Sequence, residues 1–282
     1  MAKRNRTINS KRIAKRLKDG RGRGRGSEYQ PYLFIQDVPS CGLATRDKGW
    51  KTGRVHHLMS QPEWQYFYIL EWSPIVVDIR EQYPLELDET LAIAELHGIP
   101  HPSPTNRGAQ DPCVMTTDFV VTIRKGMSFE DQARTVKYAN ELSDERVLAK
   151  FEIERLYWKS KNLDWGIVTE RELETQIVEN MVWLHPYLNI TSLLPLTENT
   201  IHRVESVLNS WIVERDEPLC DLTDACDDRL CLLPGTSLVV VRHLLANRRW
   251  QVDMHKPIYP SERMMLIASP EAALRRRVGG AR

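Results

Sequence analysis

At 282 residues, with 41% hydrophobic and 27% charged side chains and a net charge of +1, the chain has the composition of a globular protein, long enough for two ordinary domains. Its longest apolar runs, such as Leu230–Leu233 and Leu238–Val241, fall far short of a membrane span, and no apolar stretch follows the basic amino terminus. Membrane and secreted proteins are thereby set aside, and the cytoplasm is the expected compartment.

Five cysteines, Cys41, Cys113, Cys220, Cys226 and Cys231, are odd in number and scattered, which favours reduced thiols over a disulfide framework. The last three lack the two-residue knuckle that wraps zinc, so core thiols are the better reading. Charge is unevenly spread. Residues 1–26 hold eleven Lys/Arg against Asp19 alone, a net +10 that leaves −9 for the rest. A basic arm on an acidic body suits a nucleic acid, or serves as a solubilising tail.

Within the arm, Ile8–Lys18 reads as a short basic helix stopped by Asp19-Gly20. The Arg-Gly alternation of residues 21–26 opposes regular structure. Arg21, Arg23 and Arg25 on that bare backbone could follow a phosphate chain, or belong to a flexible linker. Residues 29–59 read as loops and short strands around Tyr32–Ile35 and Gly53–Leu58. Ser60-x-x-Glu63 is a capping box that starts a helix running to Trp72, with Pro62 tolerated in the first turn and Ser73-Pro74 as the stop. Glu63 thus has a structural reading, as a cap, beside any chemical one.

Ile75–Ile79 reads as a strand, and residues 97–112, rich in Pro, His and Gly, as a loop. Val114–Ile123 alternates, setting Asp118 on one face with Val114, Thr116, Val120 and Thr122, and Met115, Thr117, Phe119, Val121 and Ile123 on the other. Arg124-Lys-Gly126 makes the turn, and Gln132–Tyr138 returns as a partner strand bearing Thr135, Val136 and Lys137. A carboxylate in such a strand is costly without a compensating cation, which marks Asp118 as functional. A long helix from an N-cap at Ser143 to Trp158 carries the stripe Val147, Phe151, Glu154 and Trp158. Glu154 interrupts that apolar stripe, either to face a site or to pair with Arg155 or Lys150. Trp165–Thr169 is the following strand.

The order helix, strand, Asp strand, Lys strand, helix, strand is that of an α/β domain with a mixed central sheet. It gathers Glu63, Asp118 and Lys137 at one end. Two carboxylates and a lysine supply the chemistry of metal-dependent phosphodiester hydrolysis. Beyond residue 170 the pattern is helical, over Leu173–Trp183, Leu194–Glu214 and Ser237–Asn247, and Asn247–Asp253 reads as a turn into a strand. That succession suggests a helix-turn-helix or winged-helix module, with Arg242, Arg248 and Arg249 available to DNA phosphates or to an acidic protein face. Residues 266–282 read as a basic tail.

Gly20–Tyr29, Lys51–Leu58, Asp78–Leu85, Met115–Phe119 and Glu154–Trp158 together resemble the TnsA endonuclease subunit of heteromeric bacterial transposases, clearly over residues 10–185 and more faintly through Thr236–Tyr259. The resemblance implies a basic arm (1–26), a restriction-endonuclease-like domain with a mixed central sheet flanked by helices (27–170), a smaller helical winged-helix-like domain (171–265) and a basic tail (266–282). It implies cleavage of the 5′ strand at each transposon end, beside a TnsB-like recombinase that acts on the 3′ ends and a TnsC-like ATPase regulator that contacts the carboxy-terminal domain. The family's catalytic residues fall on Glu63, Asp118 and Lys137, with a further acidic position at Glu154. Mg²⁺, or Mn²⁺ in its place, would be held by Glu63, Asp118, the Thr135 hydroxyl and the Val136 carbonyl. Two departures stand out. Thr135 occupies a position that is acidic in restriction-type nucleases and often Gln in TnsA-like proteins, and Thr117 rather than Pro precedes Asp118. The first keeps open an alternative, a catalytically impaired DNA-binding or scaffolding subunit. A stand-alone restriction enzyme is disfavoured by the resemblance.

Overall fold

A computed structural model describes residues 10–38, 43–103, 113–189 and 196–267. Cys41, residues 104–112 of the 97–112 loop, Leu194 and most of the tail lie outside the described residues. The chain divides into two compact units, Met1–Leu173 and Glu174–Arg282. Among the described residues no helix is long and apolar enough to cross a membrane.

The first unit opens with α1 (Ser10–Lys18), whose last turn bears Lys15, Arg16 and Lys18, the charge sign that a helix carboxyl end favours. The Gly-Arg alternation that follows is an ordered turn rather than a free arm. A side chain at Gly22 would stand 2.2 Å from Pro84 Cγ, so glycine there lets the turn lie against β3 (Val76–Pro84), and one at Gly24 would stand 2.6 Å from the Glu28 carbonyl oxygen within the turn itself. Tyr32–Ile35, expected as a strand, runs instead as a loop into a single 3₁₀ turn, Ile35–Asp37, and buries Tyr32.

β1 (Thr45–Lys48) and β2 (Val55–Leu58) form a separate antiparallel pair. α2 (Gln61–Trp72) starts at its Ser60 N-cap and ends at Ser73, as the capping box and Ser-Pro stop require. A helix that the periodicity did not reveal, α3 (Leu87–Leu96), precedes β4 (Thr116–Lys125) and β5 (Ser128–Val136). α4 (Glu145–Ser160) takes Asp144 as its N-cap, one residue beyond the expected Ser143, because that carboxylate accepts the Arg146 and Val147 N–H groups. β6 (Asp164–Val168) closes the unit. The sheet order is β3-β4-β5-β6, antiparallel except for the parallel β5/β6 edge that α4 connects. Leu85, Met115, Val120, Ala133, Ile153, Tyr157 and Trp158 form the core under α3 and α4.

At the centre of β3 sits a fully buried ionic network. Arg54 forks onto both oxygens of Glu81, and His56 Nδ1 lies 2.8 Å from Glu81 Oε2. Burial alone would raise the Glu81 carboxyl, but His56 and Arg54 outweigh it and hold it at about 2. This network ties β2 to β3, the edge strand beside β4.

The second unit is helical: α5 (Thr175–Leu184), α6 (Glu198–Glu214), α7 (Leu219–Leu230) and α8 (Thr236–Ala246). Ile201, Val204 and Leu208 on α6, Leu222 and Cys226 on α7, and Val240, Val241 and Leu244 on α8 are all buried. Asp227 accepts the Gly235 and Ser237 N–H groups at 2.7 and 2.8 Å, so α7 supplies the cap that Gly235 cannot. The strand expected after Asn247 does not form. Residues 247–253 run as irregular chain that buries Trp250, and the described residues of this unit hold no wing. Arg242 stacks on Trp183 and Tyr187, and Arg249 pairs with Glu205, so both are engaged within the unit.

Glu81→Ala strands Arg54 and His56 without their anion, and a loss of about 3–5 kcal/mol is expected from such a broken buried pair. Urea unfolding checks this; a loss below about 1 kcal/mol, the value of an exposed pair, would contradict it.

Candidate active site

Regular pairing between β4 and β5 ends at Phe119↔Arg134, while β4 stays paired with β3 as far as Thr116 and β5 with β6 as far as Val136. The two middle strands therefore part at Asp118. The Val136 N–H, left without a ladder partner on β4, donates to Asp118 Oδ2 at 2.7 Å. Strand parting also breaks the expected alternation. Thr117 hydrogen-bonds Glu154 on α4, whereas Phe119, expected on the same face, packs edge-on against Tyr66 of α2.

The parting strands open a cleft of about 410 Å³, lined by Glu63, Asp118, Thr135, Val136, Lys137 and Glu154 among others. All six residues singled out for catalysis or metal binding meet there. Glu63 carries both of its readings at once: its Oε1 accepts the Ser60 hydroxyl, its Oε2 accepts the Met59 N–H, and it still lines the cleft. Glu154 is buried and pairs with neither Arg155, which bonds Glu152, nor Lys150. Its Oε1 instead accepts the hydroxyls of Thr117 and Thr135 and the Trp165 N–H. The Thr135 proton is thus committed to Glu154.

Three carboxyl groups share this space. Burial, then the charge of Asp118, pushes Glu63 up to about 8. Burial pushes Asp118 up to about 6 against the lowering pull of the Val136 N–H, Lys137 and Gln82. Burial raises Glu154 to about 7, with Asp118 adding to the shift. Like charges crowded in a shielded cleft resist ionisation, and a hard divalent cation with oxygen ligands relieves that. Among the described residues no cluster of three or more His, Cys, Asp or Glu has metal-site geometry. Glu63 and Asp118, with neutral oxygens beside them, are the residues that could hold such a cation. Lys137 lines the cleft, its ammonium 2.7 Å from Glu141 Oε2 and its backbone N–H donating to the Val168 carbonyl.

The arm arginines diverge. Arg21 is closed on Asp37 and the Tyr32 carbonyl and stacks on Phe34, which turns it to an internal role. Arg25 pairs with Asp131 yet keeps 63% of its side chain exposed. Arg23 is exposed, with no ion-pair partner among the described residues. Sequence reasoning missed Gln82, which donates to Glu63 at 3.2 Å, and Glu141, which holds Lys137. Neither follows a period or motif that could have revealed it.

Two carboxylates and a lysine stand where the middle strands of a mixed sheet part. The TnsA-like endonuclease N-terminal family model matches residues 73–170, and the TnsA endonuclease C-terminal model matches residues 172–254. The Escherichia coli protein named Transposon Tn7 transposition protein TnsA is 38% identical over 256 residues, covering 91% of this chain and 90% of that protein. The chain belongs to the TnsA endonuclease family.

A carboxyl whose folded value lies above its unfolded one adds stability that is complete below the unfolded value and lost as pH rises through the folded one. With chelator present, the Glu63 contribution is therefore expected to fall between about pH 5 and pH 8. Thermal melts should show the wild type losing stability relative to Glu63→Gln across that window. A difference that stays flat or rises with pH would contradict the assignment.

Proposed function

We propose that the chain is the endonuclease of a cut-and-paste DNA transposition system, hydrolysing the 5′ strand at each transposon end with Mg²⁺ as cofactor and Mn²⁺ as a substitute. The observation that carries this reading is the convergence of Glu63, Asp118 and Lys137 on one cleft in a TnsA-family chain. A TnsB-like recombinase acting on the 3′ ends and a TnsC-like ATPase that docks on the carboxy-terminal unit complete the proposed assembly. Its position in the cytoplasm follows from the DNA substrate.

Asp118 and Glu63 would hold the cation, with the Val136 carbonyl and the Thr135 oxygen as neutral donors. When bound, the cation supplies Lewis-acid activation of water and neutralises phosphate charge. Asp118 is fixed for this task by the Val136 N–H. Glu63 is fixed by the first turn of α2. Lys137, released from Glu141 by an arriving phosphate, orients the attacking water and offsets the charge that develops on the phosphorus oxygens. Glu154, braced by two threonines and a tryptophan, sets the rear wall of the cleft and holds Thr135 in place. Lys150 on the cleft lining and exposed Arg23 and Arg25 are suited to the DNA backbone.

A second reading, a DNA-binding or scaffolding subunit without cleavage, has one observation in its favour: Thr135, whose single hydroxyl is a poorer metal ligand than a carboxylate, stands where restriction-type nucleases carry an acid. Strand-resolved cleavage of transposon-end DNA, with recombinase and Mg²⁺ or Mn²⁺ present, separates the two. Asp118→Ala is expected to abolish 5′-strand cleavage, and Lys137→Ala to slow it by roughly 10²–10³-fold, the cost of one lost electrostatic contact in the transition state. Both variants are expected to assemble with DNA and recombinase normally. Full nicking by either would overturn the catalytic assignment, and no nicking by the wild type would favour the scaffold.

A further inference from the structure

Gln82 interrupts β3. Its φ of 50° lies in the left-handed region, and it stands between Glu81, paired with Phe119, and Tyr83, paired with Thr117. The register sets it against Asp118. A residue with a side chain resists this backbone, and glycine would adopt it without strain. A glutamine held there is a strained choice in the middle of a buried strand.

The side chain accounts for the choice. Its Nε2 donates to Glu63 Oε2 at 3.2 Å, its Oε1 accepts the Thr116 hydroxyl at 3.4 Å, and the carboxamide pulls the Asp118 carboxyl downward against burial. Gln82 is itself only 3% exposed, so the amide has no water to exchange with. The two Glu63 oxygens receive three protein donors: the Met59 N–H, the Ser60 hydroxyl and the Gln82 amide. A carboxylate offers about four acceptor directions, so one remains for a cation. Two of the three donors come from the first turn of α2 and its lead-in, and the third comes from the neighbouring strand. Gln82 alone of these links Glu63 to the sheet that carries Asp118.

We propose that Gln82 is a positioning residue of the nuclease, whose carboxamide clamps Glu63 beside Asp118 so that both carboxylates meet one divalent cation. The role rests on the two-carboxylate reading of the site given above. An amide suits it better than any charged group. Lysine would neutralise the carboxylates in the cation's place, and glutamate would add a further negative charge to a crowded cleft. A group that orients a metal ligand from outside the coordination sphere typically changes affinity by about 10- to 100-fold when removed.

Mn²⁺ binding to the full chain, followed by electron paramagnetic resonance and calorimetry alongside thermal melts and DNA affinity, tests this in wild type, Gln82→Gly, Gln82→Asn and Asp118→Ala. Glycine fits the left-handed backbone, so Gln82→Gly is expected to fold with an unchanged or higher melting temperature and unchanged DNA affinity. Its Mn²⁺ binding is expected to weaken by about 10- to 100-fold, and the metal concentration for half-maximal cleavage to rise in step. Gln82→Asn, an amide one methylene short, is expected to weaken binding in the same direction and keeps the test open should the glycine variant fold poorly. Wild-type Mn²⁺ affinity in the folded Gln82 variants would overturn the positioning role and leave the two-carboxylate reading standing. Mn²⁺ binding that survives Asp118→Ala unchanged would overturn that reading, and the role of Gln82 with it.

Discussion

Three carboxyl groups, on Glu63, Asp118 and Glu154, are held in one shielded cleft by elements that cannot move apart, and the rest of the first unit is arranged around that unfavourable fact. Crowded carboxylates are destabilising unless protonated, hydrogen-bonded or neutralised by a cation. Each of the three is hydrogen-bonded by the surrounding chain: from the lead-in to α2 and from β3 for Glu63, from β5 for Asp118, and from β4, β5 and β6 for Glu154. The site is thereby preorganised rather than formed on demand, which is the condition for electrostatic stabilisation of a transition state.

The parting of β4 from β5 makes this possible. A strand pair that stayed in register would have consumed the Val136 N–H and closed the cleft with backbone. Because β3 and β6 remain paired to their neighbours beyond the parting point, the opening is local and both edges stay rigid. The Glu81 network anchors β3 immediately before Gln82, so a strained residue is flanked by the most firmly tied position on its strand.

Much of this was legible in the residues. The capping box and Ser-Pro stop located α2, and β-branched alternation located β4, because both rest on local rules; parting from β5 then overrode the alternation at Thr117, and only the fold turned Glu154 inward rather than onto Arg155 or Lys150. Other features have no local signature. α3 sets Asp88, Glu89 and Glu95 around the continuous run Leu91–Ala94 with no sharp amphipathic stripe, and the acid-rich α7 hides its apolar line in Leu222 and Cys226. The Gly-Arg run was read as pliable from composition, whereas its glycines serve close approach to Pro84 and Arg21 serves Asp37. The strand expected after Asn247 gives way to irregular chain that buries Trp250, a tertiary contact with no local signature. Gln82 was invisible because its meaning lies in register and φ, which only the folded strand defines.

The central claim is that Glu63 and Asp118 hold one divalent cation between them. Diffraction from crystals of the chain soaked in Mn²⁺, read through the metal's anomalous scattering, addresses it directly. The account predicts an anomalous peak in the cleft at about 2 Å from an oxygen of each carboxylate, the contact distance of a small hard cation. A peak bound elsewhere, or a cleft where the two carboxyls share a proton in saturating metal, would contradict it.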